Sequence, residues 1–195
     1  MTLAIVLVIA YLLGSFPTSY LVVHLITGRD IRQFGSGNPG TMNVLDSVSR
    51  RAAVIVGVAD IAKGTAAVGL AYLAGVGDVG AVAAGLAAVA GHDFSLFLRF
   101  HGGNGTAPAT GALYALAPLT GLIATTGAVG IYLLLRSRRP AGMAALLMYA
   151  PLAYALGEPN ARVAGAALLV TVTLVKIGLD EGFSFARPRH ETRVP

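Results

Sequence analysis

Long apolar runs, each closed by a short charged or glycine-rich segment, organise this chain: residues 3–26, 52–74, 79–98, 106–135, 141–156 and 161–179. A span of the bilayer needs about 20 apolar residues at a rise of about 1.5 Å each. Backbone groups inside lipid must find their partners within the segment, which leaves helices as the structure for such runs. Of the 195 residues, 55% are hydrophobic and 12% charged. Soluble domains carry about 25% charged residues, so lipid has to cover much of this surface. The fold expected is all-α, a polytopic membrane helical bundle forming one integral membrane domain over 1–195. The first run lacks a basic leader and exceeds the apolar core of a signal peptide, so it reads as a retained span.

The stretch 106–135 is too long for one span and carries Pro118 near its middle. Proline breaks or kinks a helix, so 106–117 and 119–135 are expected as two shorter helices meeting there. With 3–26, 52–74, 79–98, 141–156 and 161–179, this makes about seven helical segments followed by a tail over 180–195. Lys and Arg concentrate in 28–51, 98–105, 136–140 and 180–195, whereas the turns 75–78 and 157–160 carry none. By the positive-inside rule the basic segments are cytoplasmic, with the N-terminus outside and the C-terminus, including the tail, inside. The net charge of +5 follows this punctuation and forms no continuous basic face, so no nucleic-acid partner is expected. Without cysteine, disulfides, zinc–thiolate sites and thiol nucleophiles are excluded.

Two polar loops could carry chemistry. The first reads Gly35-Ser36-Gly37-Asn38-Pro39-Gly40-Thr41-Met42-Asn43. Its glycines admit positive φ and close approach to a ligand, and successive N–H groups in such a turn form an anion-binding nest. Ser36, Asn38, Thr41 and Asn43 add polar side chains. A plain turn between spans would look similar. The second loop, His101-Gly102-Gly103-Asn104-Gly105-Thr106, echoes it and opens the half-helix before Pro118, a place where membrane proteins build anion sites. The phosphate-binding candidates are therefore Ser36, Gly37, Asn38, Gly40, Thr41, Asn43, Gly102, Gly103, Asn104 and Gly105.

Asp60 and Lys63 lie within the second run at i and i+3, hence on one helix face. Charges there tend to pair and face the protein interior, either as a structural ion pair or as supports for the loops. His92 and Asp93 sit near the cytoplasmic end of the third run. His92 is expected to hydrogen-bond a loop carbonyl and fix the loop's shape, with proton transfer as the alternative. Neither H-E-x-x-H, G-x-S-x-G nor a Walker-type loop is present, and possible metal ligands are too scattered to form a site. His92 does not open an H-x-x-x-x-D motif.

The chain resembles the bacterial acyl-phosphate:glycerol-3-phosphate acyltransferases. The matching residues are Tyr11-Leu12-Leu13-Gly14-Ser15, Gly28-Arg29-Asp30-Ile31-Arg32, Gly35 through Gly40, Asp60, Lys63-Gly64, Gly91-His92, Phe97, Phe100, Gly102-Gly103 and Gly105. They fall in order, at the family's spacing, over about residues 3–111. The resemblance implies a seven-helix enzyme of the bacterial inner membrane. Its substrates would be acyl-phosphate and glycerol 3-phosphate, its product lysophosphatidic acid for phospholipid synthesis, and it would need no metal or other cofactor. Its partners would be these substrates and the lipid bilayer.

Four features depart from the family's pattern. Asp46 stands where the family's first motif has arginine, and Asn104 where Gly-Gly-Lys-Gly has lysine. Pro140-Ala141-Gly142-Met143-Ala144 replaces expected serines, and Lys176–Glu191 contains no clear counterpart of the C-terminal His/Arg/Asn motif. The first two changes remove two positive charges and add a negative one beside a dianion. A hydrogen bond to a charged group contributes about 1.5–3 kcal/mol, so losing two or three such contacts predicts much weaker use of glycerol 3-phosphate. Three alternatives stay open: a paralogue that binds lipid or a partner without catalysis, an acyltransferase for a less anionic acceptor, and, given the broken helix, a small-anion transporter.

Overall fold

The structure is a computed structural model and describes residues 1–181. It contains nine α-helices among the described residues: α1 (Thr2–Ser15), α2 (Thr18–Thr27), α3 (Thr41–Ser47), α4 (Arg50–Leu73), α5 (Gly77–Asp93), α6 (Thr106–Leu116), α7 (Pro118–Leu135), α8 (Arg138–Ala155) and α9 (Asn160–Glu181). Short 3-10 turns lie at Ile31–Gln33 and Leu96–Leu98. Five segments are long and apolar enough to cross a membrane: Thr2–Thr27, Arg50–Leu73, Gly77–Leu98, Pro118–Leu135 and Asn160–Asp180, with Pro140–Ala155 shorter. Val54, Ile55, Val58, Leu122, Leu134 and Leu147 point outward, as a lipid-facing surface requires. The bundle is an integral membrane domain.

Three segments differ from the sequence expectation. The first run is two helices, not one over 3–26, because the chain breaks at Phe16–Pro17. Helix ends leave carbonyls without partners, and here side chains supply them: Lys63 Nζ donates to Phe16 O at 2.6 Å and Ser95 Oγ to Ser15 O at 2.5 Å. The third helix ends at Asp93 rather than 98, with Leu96–Leu98 wound as a separate turn. The short helix α3 falls in a segment read as loop. It is held by Val44, which is fully buried with Val23, Ile31, Phe34, Ala53 and Val56. Residues 180 and 181 continue α9; the rest of the expected tail over 180–195 lies outside the described residues.

Near Pro118 the chain folds back. Tyr114 Oη donates to Thr125 Oγ1 at 2.6 Å, whereas a straight helix would set these residues about 16 Å apart. Tyr149 of α8 caps the break by donating to the carbonyls of Leu113 and Ala117. Close packing of α4 on α6 rests on Gly64 and Gly111. A Cβ on Gly64 would overlap the Pro108 carbonyl oxygen, and one on Gly111 that of Ile61. Small residues at such positions let membrane helices approach.

These contacts sort the connections to two ends. At one end Arg32 Nη1 donates to Leu98 O at 3.4 Å, and Arg138 pairs with Asp46 at 3.0 Å. Three basic segments therefore meet there. At the other, Asp78 and Glu158 both pair with Arg162, at 2.9 and 3.2 Å.

Candidate functional site

The first loop is wound on Asn43. Its side-chain amide donates to Phe34 O and Asn38 O, each at 2.9 Å, and its Oδ1 accepts from Ser36 N at 3.2 Å and Ser47 Oγ at 3.1 Å. Gly35 and Gly37 take φ of 52° and 74°, the left-handed conformation that glycine adopts without strain. Asn43 was expected among the phosphate-binding groups. Instead, its polar atoms hold the loop's own backbone, and it shapes the site from below. Ser36 is exposed, whereas Asn38 Oδ1 and Thr41 Oγ1 are buried without hydrogen-bond partners among the described residues.

Before this loop, Asp30 caps the 3-10 turn by accepting from Arg32 N at 2.9 Å and from the Arg32 guanidinium at 2.6–3.1 Å. Those hydrogen bonds hold the Asp30 carboxyl below its ordinary range and raise the arginine. Arg32 is thereby committed to the scaffold, tying the first loop to Leu98 at the approach to the second.

The second loop doubles back on the end of α5. Gly102 N donates to Asp93 O at 3.0 Å and Gly103 N to His92 O at 3.1 Å. Thr106 Oγ1 donates to Asn104 Oδ1 at 3.0 Å, and Gly105, at φ 68°, leads into α6. The His92 imidazole was expected to fix this loop. The hydrogen bond comes from its main-chain carbonyl instead. The ring lies flush against Gly103, where a Cβ would strike Nε2, and its Nδ1 is 4.0 Å from Asp60 Oδ1. His92 thus separates the second loop from the buried charges.

Those charges form the floor. Lys63 Nζ pairs with Asp60 Oδ1 at 2.7 Å, and the residues are only 8% and 1% exposed. Lys63 also binds Phe16 O, so the ion pair closes the break between α1 and α2. Ser19 Oγ donates to Pro39 O at 2.6 Å, joining that break to the first loop. A slot remains between Pro39 and Gly103, floored by Lys63, Asp60 and His92 and walled by Ser15, Thr18 and Ser95. Its volume is about 10 Å³, close to the minimum for one water. Ser15 Oγ and Thr18 Oγ1 are buried there without partners among the described residues. Sequence reasoning missed Ser15, Thr18, Ser19 and Ser95; Pro17, within Ser15-Phe16-Pro17-Thr18-Ser19 inside an apolar run, was the available signal.

Among the described residues, no group of three or more His, Cys, Asp or Glu side chains could hold a metal ion. Of the sequence candidates, Asp60, Lys63, His92 and Gly103 line the slot; Asn38 and Gly40 flank its lining residue Pro39 in the chain.

Fold and site together define an integral membrane helical protein with paired glycine loops over a buried ion pair. The sequence profile described as glycerol-3-phosphate acyltransferase matches residues 4–179, and the chain belongs to that family. It is 44% identical over 118 residues to a glycerol-3-phosphate acyltransferase of Enterococcus faecalis, covering 60% of this chain and 54% of that protein. With the Dechloromonas aromatica enzyme of the same name it is 47% identical over 124 residues, covering 63% and 62%. These matches span only a little over half of the relatives' lengths. The fold is similar to the crystal structure of PlsY (YgiH), an integral membrane glycerol 3-phosphate acyltransferase, in its glycerol 3-phosphate form. The TM-score is 0.84 at 28% identity, over 91% of this chain and 88% of that one. The lysophosphatidic acid form aligns with a TM-score of 0.81 at 26% identity.

Proposed function

We propose that this protein transfers a fatty acyl group from acyl-phosphate to the 1-hydroxyl of sn-glycerol 3-phosphate, releasing lysophosphatidic acid and phosphate. The observation that carries the reading is the convergence of both glycine loops on one slot over Lys63, in a chain of the glycerol-3-phosphate acyltransferase family. The acceptor oxygen bonds to the acyl carbon, the acyl carbon–phosphate oxygen bond breaks, and the hydroxyl proton leaves with the phosphate or to solvent. The acyl carbon is already activated, so the protein's part is to position both substrates and stabilise developing charge. The N–H groups of Ser36, Gly37, Asn38, Gly102 and Gly103 are spent on holding the loops, so the groups we assign to the anions are the side chains of Ser36, Asn38 and Thr41 and the loops' remaining backbone N–H groups.

Purified protein given palmitoyl-phosphate and labelled glycerol 3-phosphate is expected to form lysophosphatidate. No product above a detergent blank, beside an active relative as control, would sink this reading. Asp46, a carboxylate one helical turn beyond Asn43, favours a second reading, an acceptor of lower negative charge. Glycerol and other uncharged alcohols in the same assay separate the two.

We also assign the loops to the cytoplasmic face of a bacterial inner membrane, with the N-terminus outside and the C-terminus inside. Support comes from the meeting of three basic segments at one end of the bundle, taken with the positive-inside rule. Single cysteines at 33, 103 and 137 are expected to react with a membrane-impermeant maleimide only from the cytoplasmic side. Labelling of any of them in intact cells would reverse the orientation.

A further inference from the structure

Three cations around the first loop, Arg32, Lys63 and Arg138, are not equivalent. Arg32 is held by Asp30 and Leu98 O, and Lys63 by Asp60 and Phe16 O. Both serve the scaffold. Arg138 is different. It comes from the start of α8, 92 residues away, and among the described residues its one polar contact is Asp46 Oδ1 at 3.0 Å. A guanidinium carries five N–H donors in a planar fork. One edge on Asp46 leaves others for an anion. The Arg138 side chain is 49% exposed and that of Asp46 29%, and exposed pairs of this kind contribute little to stability. What the contact does is electrostatic. Asp46 lies one helical turn beyond Asn43, the residue on which the first loop is wound. Alone, it would present a carboxylate to an incoming anion. Paired, it delivers a cation to the same place.

We propose that Asp46 is a positioning residue that holds Arg138 at the rim of the first loop, where the guanidinium binds the phosphate of the acceptor. This rests on the acyltransferase reading above for the identity of the acceptor, though not for the presence of an anion site. It assigns a binding role to the α7–α8 junction, which neither glycine loop reveals. It also gives Asp46 a function compatible with an anionic ligand.

The test uses the full-length protein in detergent, with two readouts. Calorimetric binding of glycerol 3-phosphate needs no turnover, and acyl transfer from palmitoyl-phosphate compares glycerol 3-phosphate with glycerol. A charge-assisted hydrogen bond predicts that Arg138→Ala weakens glycerol 3-phosphate binding about 10-fold or more. Its KM should rise by a similar factor with little change in kcat, and selectivity over glycerol should fall in proportion. Asp46→Ala should show a smaller rise, because the arginine remains but loses its anchor. The exchange Asp46→Arg with Arg138→Asp should restore binding, since it keeps one cation and one anion at the rim. Unchanged binding in Arg138→Ala overturns the proposal even if the protein is an active acyltransferase. Equal losses for both acceptors also overturn it, because they mark a tether that only shapes the protein. Arg138-dependent binding without turnover would keep the proposal and overturn the acyltransferase reading. No glycerol 3-phosphate binding by the unsubstituted protein would overturn the proposal directly.

Discussion

Lys63→Met is expected to destabilise the folded bundle by about 3–5 kcal/mol, the usual result of removing one partner from a buried ion pair. The substitution leaves the Asp60 carboxylate, 1% exposed, without the ammonium 2.7 Å away. It also removes the donor that reaches Phe16 O at the break between α1 and α2. Methionine matches lysine closely in length, so the loss is one of charge and hydrogen bonding. Denaturation in mixed micelles measures it. Asp60→Asn with Lys63→Met should recover much of that loss, because removing both charges of a buried pair is often close to neutral. Acyl transfer by the double variant then asks a separate question. If stability returns while transfer stays low, the pair supports the loops through His92; if both return, the pair is purely structural. Wild-type stability in the single variant would show that the pair contributes nothing to the fold.

This pair also marks how far the sequence could be read. Two charges three residues apart in an apolar run already imply a shared helix face and a pair. Their second task, closing a helix break 47 residues earlier in the chain, is invisible until the fold is known. Hydropathy runs straight through Phe16 and Pro17, so the first span reads as one helix. Pro17 removes a helix donor at the break, and Lys63 and Ser95 satisfy its carbonyls from other elements. The glycine loops were legible for the opposite reason. Their conformations are local, and Gly35, Gly37 and Gly105 do take positive φ. The function of Asn43 was not, since an asparagine among glycines looks alike whether it faces a ligand or holds the backbone. Helix α3 was missed because it is seven residues long and depends on Val44 meeting Ile31 and Val56. The Asp46–Arg138 contact joins residues that no local pattern relates.

On the acyltransferase activity proposed above, Gly102→Ala is expected to reduce acyl transfer about 100-fold, the size of effect a 1 Å misplacement of a substrate-positioning group can produce. At Gly102 an added Cβ would overlap the carbonyl oxygen of His92 and crowd that of Asp93. Both are backbone atoms in the last turn of α5 and cannot rotate aside. The turn itself cannot retreat, because Asp93 is buried with its carboxylate against Gly105. The loop must lift, and with it go the hydrogen bonds from Gly102 N and Gly103 N, each contributing about 0.5–1.5 kcal/mol. Overpacking of this kind typically costs about 1–3 kcal/mol in stability, so the protein should still fold. Gly103→Ala supplies the contrast. The three atoms nearest its Cβ all belong to the His92 ring, a side chain rather than backbone, and the hydrogen bond to His92 O is compatible with alanine. Its transfer rate should fall less, by about 10-fold, and His92→Ala in the same chain should recover part of that loss by opening the space. Melting curves in detergent alongside transfer rates separate loop displacement from unfolding. The order of the two effects is the decisive observation. If Gly103→Ala proves as damaging as Gly102→Ala, the His92 ring is fixed as firmly as the backbone. If Gly102→Ala transfers normally, the second loop does not need its anchorage on α5 to position a substrate.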